Sequence, residues 1–492
     1  MFAKGLLGYL PANLLQGVIG FVALTVLTRV LTPTEYGCYV LALGVSSIAW
    51  TVVFNWLEAA MARFYPAERR VDPEAPVLYG TVYRAFAAIA VLYAAAVAAF
   101  ALAFPAAWIG GAPLRGAIVV GLTGIVARSL AKLVQEQRRA EGRVGPAAVI
   151  DMLVSGGGFA LSLVFVLAGL RSGGPLLGPA VVALLVLPIF AREDWGRALR
   201  GRFDAAAARA YAHYGYPISL SLIMTIGLYT VDRFMIARFL TEADAGAYHA
   251  AFSIASRVID VLFIWFGTAG VPAMNHALET GGADALQAEA RRQLKLMALV
   301  LFPATAGLIC VAAPLSNIVI GPALRGPALA VTPLVTIGAL LAGLNNGYFL
   351  LPFTLAKRTR RLIVAMSVPA ALNIVLNVVL IPRFGLVGAA AAYAGSFLVG
   401  IVTSWVLSAG VGRLPLPGFE LATIAGAAAV MVIVVRLLPS LGTGPDLVLR
   451  PLTGVAVYGA IAWLTDLGGV RALLGARLSR WRPQPVFGRS AG

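Results

Sequence analysis

Charge is scarce in this chain: of its 492 residues only 12% are Asp, Glu, Lys or Arg, where a soluble domain carries about a quarter. Cysteine is rarer still. Cys38 and Cys310 cannot build a disulfide framework and read as two small buried residues. His213, His249 and His276 are scattered, with no second ligand type at metal spacing, so no metal site is expected. Lysine occurs only at Lys4, Lys132, Lys295 and Lys357, and none of them closes a phosphate-binding G-x-x-x-x-G-K-[ST] loop. No G-x-S-x-G elbow or zinc-protease helix occurs either. The longest polar segments, 192–213 and 276–295, are too short to fold alone. These gaps exclude an aqueous catalytic domain and a nucleotide-driven motor, and they leave no cofactor to expect. The chain reads as a non-enzyme whose energy comes from a gradient or from its substrate.

What fills the sequence is apolar: 60% of residues, with mean hydropathy +0.88. A bilayer core needs about 20 apolar residues per helix. Fourteen runs qualify, at 5–31, 37–62, 79–107, 116–138, 146–169, 175–191, 214–240, 246–274, 296–320, 328–356, 362–381, 385–409, 419–438 and 448–468. The first follows Lys4 with no small-residue cleavage site, so it reads as an uncleaved span. With the N-terminus placed inside, 28 of the 38 basic residues fall in inner connections, 8 in outer ones, and two, Arg233 and Arg257, within spans. This is the positive-inside pattern, and it puts the C-terminus inside too. It also accounts for most of the net charge of +17 without a nucleic-acid partner.

An internal repeat is visible at an offset of 209. In LTRVLTPTEYGCY (27–39) and IARFLTEADAGAY (236–248), Arg29 meets Arg238, Leu31 meets Leu240, Thr32 meets Thr241, Gly37 meets Gly246 and Tyr39 meets Tyr248. Both segments form an outer turn, after the first and the seventh span. Two six-span halves of equal orientation are parallel repeats. They place a binding cavity at the midplane between them and permit alternating access. The last two spans fall outside the repeat.

The segments LTRVLTPTEYGCYVLALG, YGYPISLSLIMTIGLYTVDRFMIARFLTEADAGAYHAAFS at 214–253 and LIPRFGLVGAAAAYAGS at 380–396 resemble the polysaccharide-transport (O-antigen flippase) branch of the multidrug/oligosaccharidyl-lipid/polysaccharide (MOP) exporter superfamily. The Asp232-Arg233 pair and the turn Gly385…Gly388-Ala-Ala carry the most specific part of that likeness. The resemblance implies an all-α polytopic membrane protein with two six-helix lobes around a central cavity and two extra C-terminal helices. It divides the chain into lobes 1–210 and 211–412, added helices over 413–470 and a basic cytoplasmic tail 471–492. It further implies movement of polyprenyl-pyrophosphate-linked oligosaccharide from the inner to the outer leaflet of a bacterial cytoplasmic membrane, with a polysaccharide polymerase or ligase as partner. Two alternatives within the superfamily are a drug or small-molecule/cation antiporter and a lipid II flippase. A glycosyltransferase or ligase would need a sizeable outer loop, and every outer loop here is short.

An arginine near the bilayer centre costs about 2.5–3.5 kcal/mol on insertion scales and must face a partner or a wet cavity. Arg257 and Asp260 lie near the middle of span eight, three residues apart on one helical face. Arg257 is the leading phosphate ligand through its planar fork of donors, with Asp260 as its holder or a proton site; the alternative is an ion pair joining helices. In span four Arg128, Lys132, Gln135 and Arg139 share a face. Arg128 is expected to line the inner cavity, while Lys132 and Arg139 can snorkel to the surface. Arg84 is placed equally for substrate capture and for snorkelling. Arg233 is a further cation toward the substrate. Asp232 is a coupling-ion site or part of a structural bridge, and Glu58 has Arg63 within reach as its partner. Asn13, Gln16, Asn345 and Asn373 are candidate sugar contacts, with helix–helix hydrogen bonding as the alternative. Tyr9, Trp50, Trp265 and Tyr348 are candidate stacking surfaces.

Overall fold

The computed structural model of the chain describes residues 2–471, with side chains for 15–223, 226–227 and 230–471. Asn13, Tyr9 and the basic tail from 472 onward therefore lie outside the described side chains. Among the described residues every regular element is helical and no strand occurs. The helices are α1 (Phe2–Val30), α2 (Pro33–Val53), α3 (Asn55–Val71), α4 (Pro76–Ala103), α5 (Ala112–Thr123), α6 (Ile125–Ala140), α7 (Val144–Met152), α8 (Gly158–Phe165), α9 (Gly174–Phe190) and α10 (Arg192–Arg200). They continue with α11 (Ala205–Phe239), α12 (Glu242–Cys310), α13 (Ala312–Val319), α14 (Pro322–Leu344), α15 (Leu351–Leu355), α16 (Thr359–Leu407), α17 (Gly418–Leu437) and α18 (Thr443–Leu464).

Nine described helical stretches are long and apolar enough to cross a membrane. Three of them hold two expected spans each: Val144–Phe190, Glu242–Cys310 and Thr359–Gly410. The last two are broken at Gly282 (φ 70°) and Gly385 (φ 57°), a left-handed backbone that glycine adopts without a Cβ clash. With α1 and α11, the fourteen apolar segments all have a helical counterpart. The chain is an all-α polytopic membrane protein, as expected.

Local signals set the helix ends. Thr32 caps α2: its side chain accepts from the Glu35 amide at 3.3 Å, and Glu35 accepts in return from the Thr32 amide at 3.0 Å, with Pro33 just inside the helix. That reciprocal pair satisfies two donors otherwise left open at a helix start. Thr241 does the same for α12, accepting from the Asp244 amide at 3.1 Å.

Contacts divide the chain into two compact units. The first comprises 1–253, 319–331 and 373–389; the second comprises 254–318, 332–372 and 390–492. In the first, α6, α7 and α9 pack through Ala127, Ala131, Val134, Ile150, Ala183, Val186 and Leu187. Small side chains there let backbones approach, which is how helices gain packing in lipid. The same unit buries a polar knot that fastens α10 to α4 and α6. Arg138 donates to Asp194 at 3.1 Å, to Glu141 at 3.0 Å and to the Phe190 carbonyl at 2.7 Å, and Gln137 donates to Asp194 and to the Tyr79 hydroxyl, each at 2.6 Å. Removing one member of so buried an ion network leaves the others uncompensated, at several kcal/mol.

In the second unit one core gathers Met274, Leu294, Met297, Leu301 and Tyr348, and another packs α17 and α18 around Ala298, Ile424, Met431 and Tyr458. The basic stretch after Gly282 runs on in α12, and its Arg291 and Lys295 pair with Glu420 at the start of α17.

Candidate functional site

A cavity of about 280 Å³ lies within the first unit, walled by Gln16 of α1, Ser46, Ser47 and Trp50 of α2, Ile125, Arg128, Ala131, Lys132 and Gln135 of α6, and Ile150, Asp151, Val154 and Ser155. Helical spacing explains the α6 wall: 128, 131, 132 and 135 fall on one face, while Ala127 and Val134 turn into the core. The α7 wall follows the same rule, with Ile150 and Asp151 one turn before Val154 and Ser155, and a π-helical turn, Leu153–Gly157, runs through this stretch. Such turns recur at functional sites.

Two cations stand on this wall. Lys132 donates to Gln135 Oε1 at 3.2 Å and lies 3.7 Å from Glu136. Arg128, half-buried, has no hydrogen-bond or ion-pair partner among the described residues. Across from them Gln16 donates from its amide to the Asp151 carboxylate. Trp50 is held by Glu58, which is buried and accepts the indole N–H at 2.9 Å. Ser46 and Gln135 also line these walls, and Ser46 Oγ, packed against Gly121, and Gln135 Nε2 are buried and without a hydrogen-bond partner among the described residues. Buried polar groups of that kind are uncommon in a finished interior. Together the walls offer fixed cationic donors, a carboxylate, hydroxyls, amides and an indole in a setting that is otherwise apolar.

The remaining sequence-predicted residues are placed elsewhere. Arg84 is not on the cavity wall: its guanidinium donates to the Gly201 carbonyl at 2.9 Å and reaches that of Leu199 at 3.5 Å, tying α4 to the segment after α10. Arg233 lies over the Phe252 ring, 4.9 Å from its centroid. Asp232 is buried in a polar cage, accepting from Asn377 at 2.7 Å and from the Tyr248 hydroxyl at 3.1 Å, and Asn377 also donates to Asn373 at 3.1 Å. Asn373 thus serves that cage and does not line the cavity. Asn345 accepts from Ser404 at 2.9 Å and joins two helices of the second unit. Tyr348 is buried, with its hydroxyl on the Pro415 carbonyl at 2.7 Å, and Trp265 is exposed. The partner of Glu58 is Trp50, where Arg63 was expected. Arg257, half-buried, and Asp260, exposed, stand on α12 in the second unit.

The family described as "Polysaccharide biosynthesis protein" matches residues 26–324, more than half of the chain. The chain belongs to that family. No curated protein matches it. Among solved structures, the lipid II flippase MurJ in an inward closed conformation superposes with a TM-score of 0.72 at 13% identity, covering 94% of this chain and 98% of that one. An inward-facing multidrug resistance MATE family transporter of the MOP superfamily gives 0.56 at 15% identity, covering 81% and 94%. At such identities the likeness is one of fold alone.

Within this family member, the cavity residues missed by the sequence reading are Asp151, Ser46, Ser47 and Ser155. Asp151 carried a usable signal, since an acid inside an apolar run is a candidate functional residue on cost alone. It has no basic residue three or four positions away, and its partner Gln16 is 135 residues distant. The serines carried no signal: a serine bonded to its own helix and one facing a cavity look alike in sequence.

Proposed function

We propose that the protein is a flippase that carries polyprenyl-pyrophosphate-linked oligosaccharide across the bacterial cytoplasmic membrane, from inner to outer leaflet, by alternating access of two lobes, 1–210 and 211–412. In this reading both termini are cytoplasmic, and the protein binds and releases its cargo without making or breaking a bond. A polysaccharide polymerase or ligase is the natural consumer of the cargo. Family membership and the transporter fold support the class. The observation that carries the substrate is the Arg128 guanidinium, partnerless among the described residues, with Lys132 one turn away, on the wall of a polar cavity inside an apolar bundle.

A guanidinium presents two parallel donors that match a phosphate edge. In a low-dielectric setting it attracts an anion far more strongly than it would in water. We therefore assign Arg128 as the principal phosphate ligand of the first unit and Arg257 as that of the second. A pyrophosphate head bears about two negative charges, and each is worth roughly 2.3 kcal/mol per 100 mV. With the inside negative, outward movement is driven by voltage, and the protein's task is to lower the desolvation barrier of phosphate and sugar.

The test is leaflet exchange of a polyprenyl-diphosphate saccharide in proteoliposomes. Arg128→Ala is expected to slow exchange about a hundredfold, in line with losing a charged hydrogen-bond pair, and Arg128→Lys to restore part of it. Exchange unchanged in Arg128→Ala would overturn the assignment.

A coupled mechanism has its own support in Asp232. A carboxylate enclosed by Tyr248 and Asn377 is a group whose charge the fold keeps away from water, which suits a site that takes up a proton or sodium ion as the lobes move.

A further inference from the structure

The cavity holds a carboxylate that an anion-binding chamber does not need. Asp151 shares its walls with Arg128 and Lys132, and a negative charge beside a diphosphate raises the cost of binding it. Nor does Asp151 neutralise the cations, because among the described residues it makes no ion pair. Among the described residues its hydrogen-bond partner is the amide of Gln16. A carboxylate accepts at about four lone-pair sites and donates at none, so most of its capacity faces the cavity and calls for donors from a ligand.

Three further observations specify those donors. Ser46 Oγ and Gln135 Nε2, in residues 3% and 2% exposed, are unpartnered among the described residues and sit on the same walls. The indole of Trp50 is fixed there by Glu58, which leaves its flat face without a competing hydrogen bond. The volume, about 280 Å³, falls just below the ligand-site range of about 300–1,000 Å³, enough for a head-group fragment and too little for an oligosaccharide. Hydroxyl donors spaced for a carboxylate, acceptors for an amide and a hydroxyl, and an apolar face for an indole are together the surface of one sugar ring.

We propose that Asp151, held by Gln16, is the specificity-determining contact for the hydroxyls of the sugar nearest the diphosphate, with Ser46, Gln135 and Trp50 completing a monosaccharide subsite beside the phosphate-binding Arg128. The inference rests on the flippase reading for its cargo, but it concerns recognition and is measurable without transport. Asp151 and Ser155, four residues apart, both line the cavity from one side of their helix. A site built to hydrogen-bond a hydroxyl discriminates strongly against a ligand that lacks it, because its own polar groups are then left unpaired.

The experiment uses the full-length protein and two probes, a polyprenyl diphosphate bearing one hexose and the same lipid without it. Binding of each is measured in detergent by native mass spectrometry, and leaflet exchange of each in proteoliposomes. The native chain is expected to prefer the hexosylated lipid, and Asp151→Asn to reduce that preference by about ten- to a hundredfold while binding the bare lipid more tightly than the native chain does, since the charge beside the diphosphate is gone. Arg128→Ala is expected to weaken both lipids alike. A preference unchanged in Asp151→Asn, or equal loss of both lipids, overturns the proposal. If Asp151→Asn does not fold, as judged by its melting temperature, Gln16→Leu is read in the same way. Failure of the native chain to exchange either lipid, with the binding preference present and lost in Asp151→Asn, would sink the flippase reading and leave the sugar subsite standing.

Discussion

Gly37 and Gly246, matched by the 209-residue repeat, face each other backbone to backbone: a Cβ on Gly246 would stand 3.1 Å from the Gly37 amide nitrogen, and one on Gly37 would overlap the Glu242 carbonyl. Each lies shortly after a capped start, Thr32 with Glu35 and Thr241 with Asp244, so the repeat extends from letters to local geometry. Overpacking of about 1–3 kcal/mol is expected when bulk enters a closed contact. Gly37→Val is predicted to lower the melting temperature in detergent by several degrees, whereas Gly116→Ala, whose added Cβ would meet no packed neighbour within 4 Å among the described residues, leaves it level or slightly raised. Equal melting of the two variants would show that the crossing carries no strain.

The turn at that crossing was legible because its residues have local reasons to be there: a cap, a proline at the helix start and a glycine where two backbones meet. The apolar runs were legible because bilayer thickness fixes their length. The site was less so. Ranking Arg257, Arg128, Arg84 and Arg233 by depth treats a helix as a line, and depth does not say which way a side chain turns. Arg84 sits at a plausible depth and finds two carbonyls; Asn345 does likewise and finds Ser404. Arg128 and Gln16 were proposed from their position and stand on the cavity wall, but Asp151 needed a partner 135 residues away to become visible.

Arg84 offers a direct contrast with Arg128. Its guanidinium fastens the segment after α10 to α4 through the Gly201 carbonyl, a bond worth about 1 kcal/mol. Arg84→Ala should therefore lower thermal stability modestly and leave exchange per folded molecule unchanged. A stable Arg84→Ala protein with exchange reduced tenfold would return this residue to the substrate path.

The knot at α10 makes stability depend on pH in a stated direction. Burial drives the Asp194 carboxyl up to about 6 from 3.8, against the opposing hydrogen bond from Gln137 and the charge of Arg138. Burial also pushes Glu141 upward, but the hydrogen bonds from Arg138 and Gln137 outweigh it and hold that group below its usual value. For Asp194 the folded chain keeps a proton that the unfolded chain has already released, so between about pH 4 and 6 its contribution falls as pH rises. Glu141 acts in the opposite sense at lower pH. Asp194→Asn is predicted to abolish the decline, which by the size of the shift amounts to about 3 kcal/mol at most. Melting temperatures from pH 4 to 7 check this: parallel curves for native and variant chains would refute it.

Asp232 separates coupling from binding. Its oxygens are occupied by Asn377 and the Tyr248 hydroxyl, so a neutral amide at 232 can keep much of the cage while losing the charge that an incoming proton or sodium ion would meet. If the carboxylate couples an ion to movement, Asp232→Asn should abolish the response of exchange to an imposed proton or sodium gradient and leave gradient-free exchange near the native rate. Applying each gradient separately identifies the ion, because only one should accelerate the native chain. If the cage is a structural bridge alone, Asp232→Asn will lower the melting temperature and preserve the gradient response in the molecules that remain folded. Asn373→Ala sharpens the comparison: Asn373 touches the cage through Asn377 and bears no charge, so it should affect stability first and ion dependence only weakly.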